Sequence, residues 1–128
     1  MERTLVVDDS PTMRRMVMAS LRDVCDGGFS QAASGLEAIE QLALGPIALM
    51  ILDLNMPDMH GLEVLAFVRK HPSFKELPVI VLTTRGDEAS RLAAQRAGAS
   101  LYLTKPFAPA ALAEQARALL AAAPAERG

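Results

Sequence analysis

The stretch that decides the fold is ALMILDLNMPDMHG, which spans residues 48–61. Its first five residues form an unbroken apolar run, and the run ends in the carboxylate of Asp53. Such a run is typical of a strand buried on both faces, as in a parallel sheet. A loop with Pro57 and Gly61 follows, and then a helical pattern begins. Because open parallel sheets bind ligands at the carboxyl ends of their strands, Asp53 stands where chemistry is expected.

Length and composition predict one globular domain. The chain has 128 residues, of which 51% are hydrophobic, and such a domain needs no disulfide or metal to fold. The single cysteine, Cys25, cannot form an internal disulfide, which fits a cytoplasmic location. No signal peptide or membrane span is expected, because the longest fully apolar run covers only residues 47–52. The formal net charge is −2 and aromatic residues make up 4%, so direct nucleic-acid binding is not expected.

The apolar pattern predicts five short strands that alternate with five helices. Strand patterns fall at residues 4–7, 29–33, 48–52, 79–82 and 101–103. Helical patterns follow them at residues 11–24, 35–43, 62–69, 87–97 and 108–122. This alternation predicts a single (βα)5 domain of the α/β class, flavodoxin-like, with a parallel sheet of order 2-1-3-4-5 and helices on both faces. The domain is expected to span residues 1–122, and residues 123–128 are expected to be a frayed tail or the start of a linker.

The same spacing assigns the apolar faces of three helices. On the first helix the apolar residues at helical spacing are Met13, Met16, Val17, Leu21 and Val24. Met13 and Met16 are expected in the core, and Cys25 is expected to pack on that helix. The second helix is expected to bury the side that carries Leu36, Ile39, Leu42 and Ala43. Leu92 is expected to be the single large apolar anchor of the fourth helix.

Polar side chains follow four of the predicted strands at the point where each strand ends. They are Asp8 and Asp9, then Asp53, Thr83 and Lys105. Each has an ordinary explanation alone, as a helix cap, a strand end or a solvated lysine, but the carboxyl ends of parallel strands meet at one edge. Clustered carboxylates repel one another, and a divalent cation such as Mg²⁺ relieves that repulsion. Together with a hydroxyl and an ammonium, these groups can hold a phosphoryl group.

The chain resembles the receiver domains of two-component response regulators from about Thr4 to Leu120. The motifs that carry the resemblance are Val6-Val-Asp8-Asp9-Ser10, Asp53-x-x-Met56-Pro57-x-x-x-Gly61, Val81-Leu-Thr83-Thr84, Ala97-Gly-Ala99 and Tyr102-Leu-Thr-Lys105-Pro106-Phe107. Each motif is weak alone, but this order and spacing are highly specific. Within the family, the length and the first helix are similar to single-domain chemotaxis receivers of the CheY kind.

The resemblance implies a phosphoacceptor and a metal site. Asp53 would attack the phosphorus of a phosphohistidine on a sensor histidine kinase. Asp9 and Asp53 would ligate Mg²⁺, with Mn²⁺ as a substitute. Asp8 would act largely through water, and the backbone carbonyl of Asn55 would complete the shell. Lys105 would pair first with Asp53 and then with a phosphoryl oxygen.

The resemblance also implies a switch with a protein partner. Thr83 would hydrogen-bond the phosphoryl group and move toward it, and Tyr102 would swing into the space that Thr83 leaves. The face formed by the fourth helix, the fifth strand and the last helix would then change its affinity for an output protein, such as a flagellar motor switch. Asn55 and Arg85 would flank the attacking water and tune the phosphoryl lifetime. The molecule would be a monomer or a weak dimer, and it would catalyse only its own phosphorylation and dephosphorylation.

Four alternatives remain on the sequence alone. The chain could be a receiver domain cut from a larger regulator with a separate output domain. It could be an Asp-nucleophile phosphatase of the haloacid dehalogenase type, although that chemistry wants an acid where Asn55 stands. It could be a flavodoxin-type binding module, although Asp8 and Asp9 would repel a flavin phosphate. It could also be an interaction domain with an inert acidic pocket.

Overall fold

The computed structural model of the protein describes residues 2–122, which form five strands and five helices in strict alternation. The strands are Arg3–Val7 (β1), Phe29–Ala32 (β2), Ile47–Leu52 (β3), Val79–Thr83 (β4) and Leu101–Thr104 (β5). The helices are Pro11–Leu21 (α1), Gly35–Leu44 (α2), Gly61–Lys70 (α3), Glu88–Ala97 (α4) and Pro109–Ala122 (α5). The predicted tail, residues 123–128, lies outside the described residues. Among residues 2–122, no helix has the length and apolar character needed to cross a membrane.

The strands form one parallel sheet in the order β2-β1-β3-β4-β5, which confirms the predicted topology. Alternate residues of β3 point to opposite faces of the sheet, as the pleat requires. Met50 and Leu52 pack into the core on the side of α2, α3 and α4, whereas Leu49 and Ile51 pack into the core on the side of α1 and α5. Both faces of β3 are therefore covered, which explains why its sequence is apolar without alternation.

Capping residues set the starts of α1 and α4 and the end of α4. The Ser10 side chain accepts a hydrogen bond from the Met13 N–H, and Pro11 occupies the first helical position of α1. Asp87 caps the start of α4, and Gly98 ends that helix with a φ of +106°, a left-handed value that favours glycine. The predicted helical patterns, residues 11–24 and 87–97, begin within one residue of the observed starts of α1 and α4, and the second ends where α4 ends.

The prediction of the core face of α1 was wrong for its methionines. Met16 is 47% exposed and Met13 is half-buried, whereas Val17 and Leu21 are fully buried. The helix ends at Leu21, so the residues one helical turn apart that face the sheet are 17 and 21. Cys25 is buried, as predicted, but it lies in the turn that follows α1 and not on a helix.

The assigned faces of α2 and α4 also need correction. Of the expected α2 side, Leu42 alone is buried, Leu36 is 57% exposed, and the other buried positions are Gly35 and Ala38. On α4, Leu92 is 38% exposed and Ala94 is the buried residue. Small residues at the contact let a helix backbone approach the core closely, so alanine and glycine mark these faces better than leucine does.

Candidate functional site

The parallel pairing of β1 with β3 brings Asp8 and Asp53 side by side. Val7 and Leu52, the last residues of these strands, are partners in the register. The Asp53 N–H continues the ladder by donating to the Val7 carbonyl at 3.0 Å. The next residue on each strand is an aspartate, and both carboxylates therefore project at the same edge of the sheet.

Asp8, Asp9 and Asp53 form a cluster of three carboxylates. One oxygen from each side chain lies within 4.8 Å of the others. Asp8 and Asp53 are buried, with 4% and 5% exposure, whereas Asp9 is exposed and opens the cluster to solvent. Carboxylate oxygens are the ligands that Mg²⁺ and Mn²⁺ prefer, so the donors present fit a hard divalent cation.

Lys105 brings an ammonium to the cluster from the end of β5. Its Nζ donates a hydrogen bond to Asp8 Oδ2 at 2.7 Å and lies 3.5 Å from Asp53 Oδ2. The Lys105 N–H also donates to the Thr83 carbonyl at 2.8 Å, which continues the pairing of β4 with β5. Three carboxylates and one ammonium leave the site formally two charges negative, which a divalent cation would neutralise.

Burial raises the pKa of the Asp53 carboxyl above its ordinary value, and this is the largest influence on it. The Lys105 ammonium acts in the opposite direction, and the charge of Asp8 raises the pKa again. The Asn55 N–H, 3.4 Å from Asp53 Oδ1, and a hydrogen bond from the Thr83 hydroxyl favour the ionised form but do not reverse the net direction. A bound cation would act with Lys105 in favour of the carboxylate.

Sequence reasoning missed two groups that hold Asp8. The Ser10 N–H donates to Asp8 Oδ1 at 2.9 Å, so each carboxylate oxygen of Asp8 has a partner. The Arg14 guanidinium donates to the backbone carbonyl of Asp8 and, through Nε, to Gln31 Oε1 at 2.9 Å. Arg14 thereby fixes the peptide that joins Asp8 to Asp9. A side chain that binds a backbone carbonyl leaves no periodic signal, so its role was not foreseen.

Thr83 and Tyr102 lie on neighbouring strands, as predicted. Thr83 is fully buried, and its Oγ1 lies 3.4 Å from the N–H of Arg85. Tyr102 is 6% exposed, its hydroxyl donates to the Arg85 carbonyl, and the Arg91 guanidinium lies 5.1 Å from the centre of its ring. Burial raises the pKa of the Tyr102 phenol, and the charge of Asp87 adds to that effect. The neutral hydroxyl of Tyr102 therefore supports the loop between β4 and α4.

Asn55 and Arg85 are exposed on the loops that follow β3 and β4. Arg85 pairs loosely with Asp87, with 3.6 Å between Nε and Oδ1. The structure thus places both residues on loops that leave the acidic edge of the sheet, two positions beyond Asp53 and Thr83.

Gly61 lets α3 begin directly against the strand end. A Cβ at this position would lie 2.5 Å from the Asp53 carbonyl oxygen and 2.7 Å from Leu54 Cα. The Gly61 N–H donates to the Leu54 carbonyl at 2.9 Å and closes the loop between β3 and α3. Any larger residue would push this loop away from the carboxylate cluster.

The family model for the response regulator receiver domain matches residues 4–117. The chain belongs to this family. Receiver domains are phosphorylation-dependent signalling modules and not classical enzymes, which sets aside the phosphatase and flavodoxin-type alternatives. They bind Mg²⁺ or Mn²⁺ at an acidic pocket, are typically phosphorylated by sensor histidine kinases, and act on effector partners.

Proteins similar to this chain include chemotaxis receivers of the CheY type. The chain is 40% identical to the chemotaxis protein CheY1 of Helicobacter pylori over 119 residues, which cover 92% of this chain and 96% of CheY1. The structure of the chemotaxis response regulator CheY4 of Vibrio cholerae superimposes with a TM-score of 0.84 at 33% identity, covering 93% of this receiver and 98% of CheY4. The Mn²⁺-bound form of the response regulator Rcp1 superimposes with a TM-score of 0.77 at 29% identity, covering 93% and 91% of the two chains. These matches confirm the predicted receiver family and CheY-like fold.

Proposed function

We propose that Asp53 of this receiver domain accepts a phosphoryl group from a phosphohistidine on a sensor histidine kinase. A carboxylate oxygen of Asp53 forms the new bond to phosphorus while the bond from phosphorus to the histidine nitrogen breaks. The imidazole keeps the electron pair of that bond and takes a proton from water. The observation that carries this proposal is the position of Asp53, which stands among two further carboxylates and 3.5 Å from the Lys105 ammonium.

The carboxylate cluster is the proposed metal site. Asp9 and Asp53 would hold Mg²⁺ directly, Asp8 largely through water, and the backbone carbonyl of Asn55 would complete the shell. Mn²⁺ would substitute, as hard oxygen ligands accept either ion. When bound, the cation neutralises charge on the oxygens of the transferred group.

Lys105 and Thr83 are the proposed contacts to the phosphoryl oxygens. Lys105 lies 2.7 Å from Asp8 and 3.5 Å from Asp53, so a small movement of its ammonium reaches an oxygen attached to Asp53. Thr83 is buried beside Asp53, and its hydroxyl would donate to another oxygen. Asn55 and Arg85 would flank the water that hydrolyses the acyl phosphate, and so they would set its lifetime.

The output surface is the face formed by α4, β5 and α5. A phosphoryl group adds about −1.5 to −2 charges at one point, which is enough to bias a lightly packed element. Of the ten α4 residues, all within the described part of the chain, Ala94 alone is buried. Movement of Thr83 toward the phosphoryl group and of Tyr102 behind it would therefore shift α4 and its neighbours.

The proposed setting is a cytoplasmic chemotaxis-type pathway. The similarity to CheY1 and CheY4, both named as chemotaxis proteins, supports this choice. The effector would be a protein such as a flagellar motor switch, and the receiver, spanning residues 1–122, would act as a monomer or a weak dimer.

Beryllofluoride with Mg²⁺ tests the switch, because it mimics a phosphoryl group on a carboxylate. We expect amide resonances of Thr83, Tyr102 and α4 to shift in the wild-type protein when both are added. Asp53→Asn is the matched control, because it keeps the shape of the side chain and removes the attachment point. An unchanged spectrum at the α4–β5–α5 face, or equal changes in both proteins, would contradict the proposal.

A further inference from the structure

The loop between β3 and α3, residues 53–60, rests on the first turn of α2. Asp58 Oδ1 accepts a hydrogen bond from the Gly35 N–H at 3.0 Å, and Oδ2 accepts one from the Leu36 N–H at 3.1 Å. These amides belong to the N-terminal turn of α2, where backbone N–H groups have no partner within the helix. The next amide, of Glu37, is capped by the Ser34 side chain at 3.2 Å. Asp58 is thus bound to α2 through both carboxylate oxygens.

An apolar contact fixes the same part of the loop. A Cβ at Gly35 would lie 2.7 Å from Met59 Cβ, so Met59 packs directly against the bare backbone of α2. Asp58 contacts α2 through hydrogen bonds, and Met59 contacts it through packing. These two successive residues therefore fix the position of the loop relative to α2.

The other end of the loop is closed by backbone contacts. The Gly61 N–H donates to the Leu54 carbonyl at 2.9 Å, and the Asn55 N–H lies 3.4 Å from Asp53 Oδ1. Asn55 therefore lies between the hydrogen bond that joins Leu54 to Gly61 and the contact of Asp58 with α2. Both contacts together hold the peptide groups of Asn55 in position.

We propose that Asp58 is a positioning residue for the metal site. Among residues 2–122 it makes no hydrogen bond or ion pair with the carboxylate cluster, and it acts by holding the loop that presents the Asn55 carbonyl. This inference rests on the proposed function, in which that carbonyl is a metal ligand. Removing an outer contact that orients a metal ligand commonly lowers metal affinity by about 10- to 100-fold.

Ser34 offers a matched control. It caps the same end of α2 through the Glu37 N–H, and within the described part of the chain its side chain makes no hydrogen bond to the loop. Removing either cap should weaken the start of α2 to a similar extent, since a helix cap contributes about 1 kcal/mol. Only the loss of Asp58 should release Asn55.

The experiment compares wild type, Asp58→Ala, Asp58→Asn and Ser34→Ala as metal-free proteins. Amide resonances followed during Mg²⁺ titration give the dissociation constant, and hydrogen exchange of the Asn55 amide before metal is added reports the loop directly. We expect Asp58→Ala to raise the dissociation constant about tenfold and to speed exchange at Asn55. Asp58→Asn, which keeps one good acceptor, should fall between it and wild type, and it serves as the test if Asp58→Ala does not fold. Ser34→Ala should leave both quantities within about twofold of wild type while losing comparable stability.

Two outcomes would overturn the inference, and only the second would also overturn the proposed metal site. Equal effects of Asp58→Ala and Ser34→Ala, with normal Mg²⁺ binding by wild type, would make Asp58 a helix cap only and leave the proposed function intact. Failure of the wild-type protein to bind Mg²⁺ would overturn the proposed metal site and this inference with it.

Discussion

Replacing Lys105 by methionine should destabilise the metal-free protein and should matter much less when Mg²⁺ is present. Methionine keeps an unbranched apolar stem but removes the ammonium that binds Asp8 at 2.7 Å and faces Asp53 at 3.5 Å. All three side chains are less than one tenth exposed, so the substitution leaves two buried carboxylates close together without a cation. Breaking a buried ion pair by removing one partner costs about 3–5 kcal/mol.

The expected loss is smaller than that range because the cluster opens to solvent at Asp9. We expect about 2–3 kcal/mol, which for a chain of this length lowers the melting temperature by roughly 8–10 °C. Mg²⁺ should recover a large part of the loss, because the divalent cation supplies the positive charge that Lys105 no longer provides.

The assay is urea denaturation with a chelator and again with saturating Mg²⁺. Lys75→Met is the matched control, because Lys75 is an exposed loop residue whose replacement should change stability by no more than about 0.5 kcal/mol. If Lys105→Met is as stable as wild type with chelator, the electrostatic reasoning is wrong. An equal loss with and without Mg²⁺ would show that the cation does not replace the charge of Lys105 among these carboxylates.

Three further predictions concern the loops around Asp53. Gly61→Ala should cost about 1–3 kcal/mol in urea denaturation, because its Cβ would meet the Asp53 carbonyl oxygen at 2.5 Å. Backbone hydrogen bonds, chiefly from the Leu36 amide, lower the pKa of the Asp58 carboxyl. The ionised carboxylate therefore stabilises the fold fully above about pH 4. This stabilisation is lost as the pH falls through the folded-state pKa. Asp58→Asn should therefore flatten the acid limb of a plot of stability against pH. Exchanging Asn55 or Arg85 should change the time course of dephosphorylation.

Each of these predictions can fail in a specific way. Gly86→Ala is the control for the first, because its Cβ would meet only the Thr104 methyl, at 3.3 Å, and equal losses at both glycines would rule out the backbone clash. An acid limb that Asp58→Asn leaves unaltered would show that this carboxylate does not titrate with folding. Phosphoryl lifetimes that neither exchange alters would exclude Asn55 and Arg85 as rate-tuning residues.

The sheet and its acidic edge could be predicted because both follow from local sequence. An apolar run that ends in Asp53 fits a strand buried on both faces of a parallel sheet, with Asp53 at its carboxyl end. The pairing of this strand with β1 brings Asp8 to the same edge. The starts of α1 and α4 were predicted to within one residue for the same reason, because the residues that set each start are neighbours in the sequence. The agreement between local signals and the observed topology is what a funnelled folding landscape requires.

The core faces of the helices could not be read from hydrophobicity alone. Met16, Leu36 and Leu92 are apolar and helical, yet each is more than a third exposed because a neighbouring position faces the sheet. Contacts between distant segments were also missed, since Arg14 binds Gln31, 17 residues away, and Asp58 binds amides 22 and 23 residues away. Such contacts depend on the final distance between elements, which no local pattern encodes.

The most direct test of the proposed function is the intact mass of the protein after incubation with acetyl phosphate. With Mg²⁺ we expect the mass to rise by one phosphoryl group, and we expect hydroxylamine to remove that group, as it does from an acyl phosphate. Chelation of Mg²⁺ or the substitution Asp53→Asn should abolish the label. Absence of the label in the wild-type protein, or a label of the same extent in Asp53→Asn, would contradict the assignment of Asp53 as the phosphoacceptor.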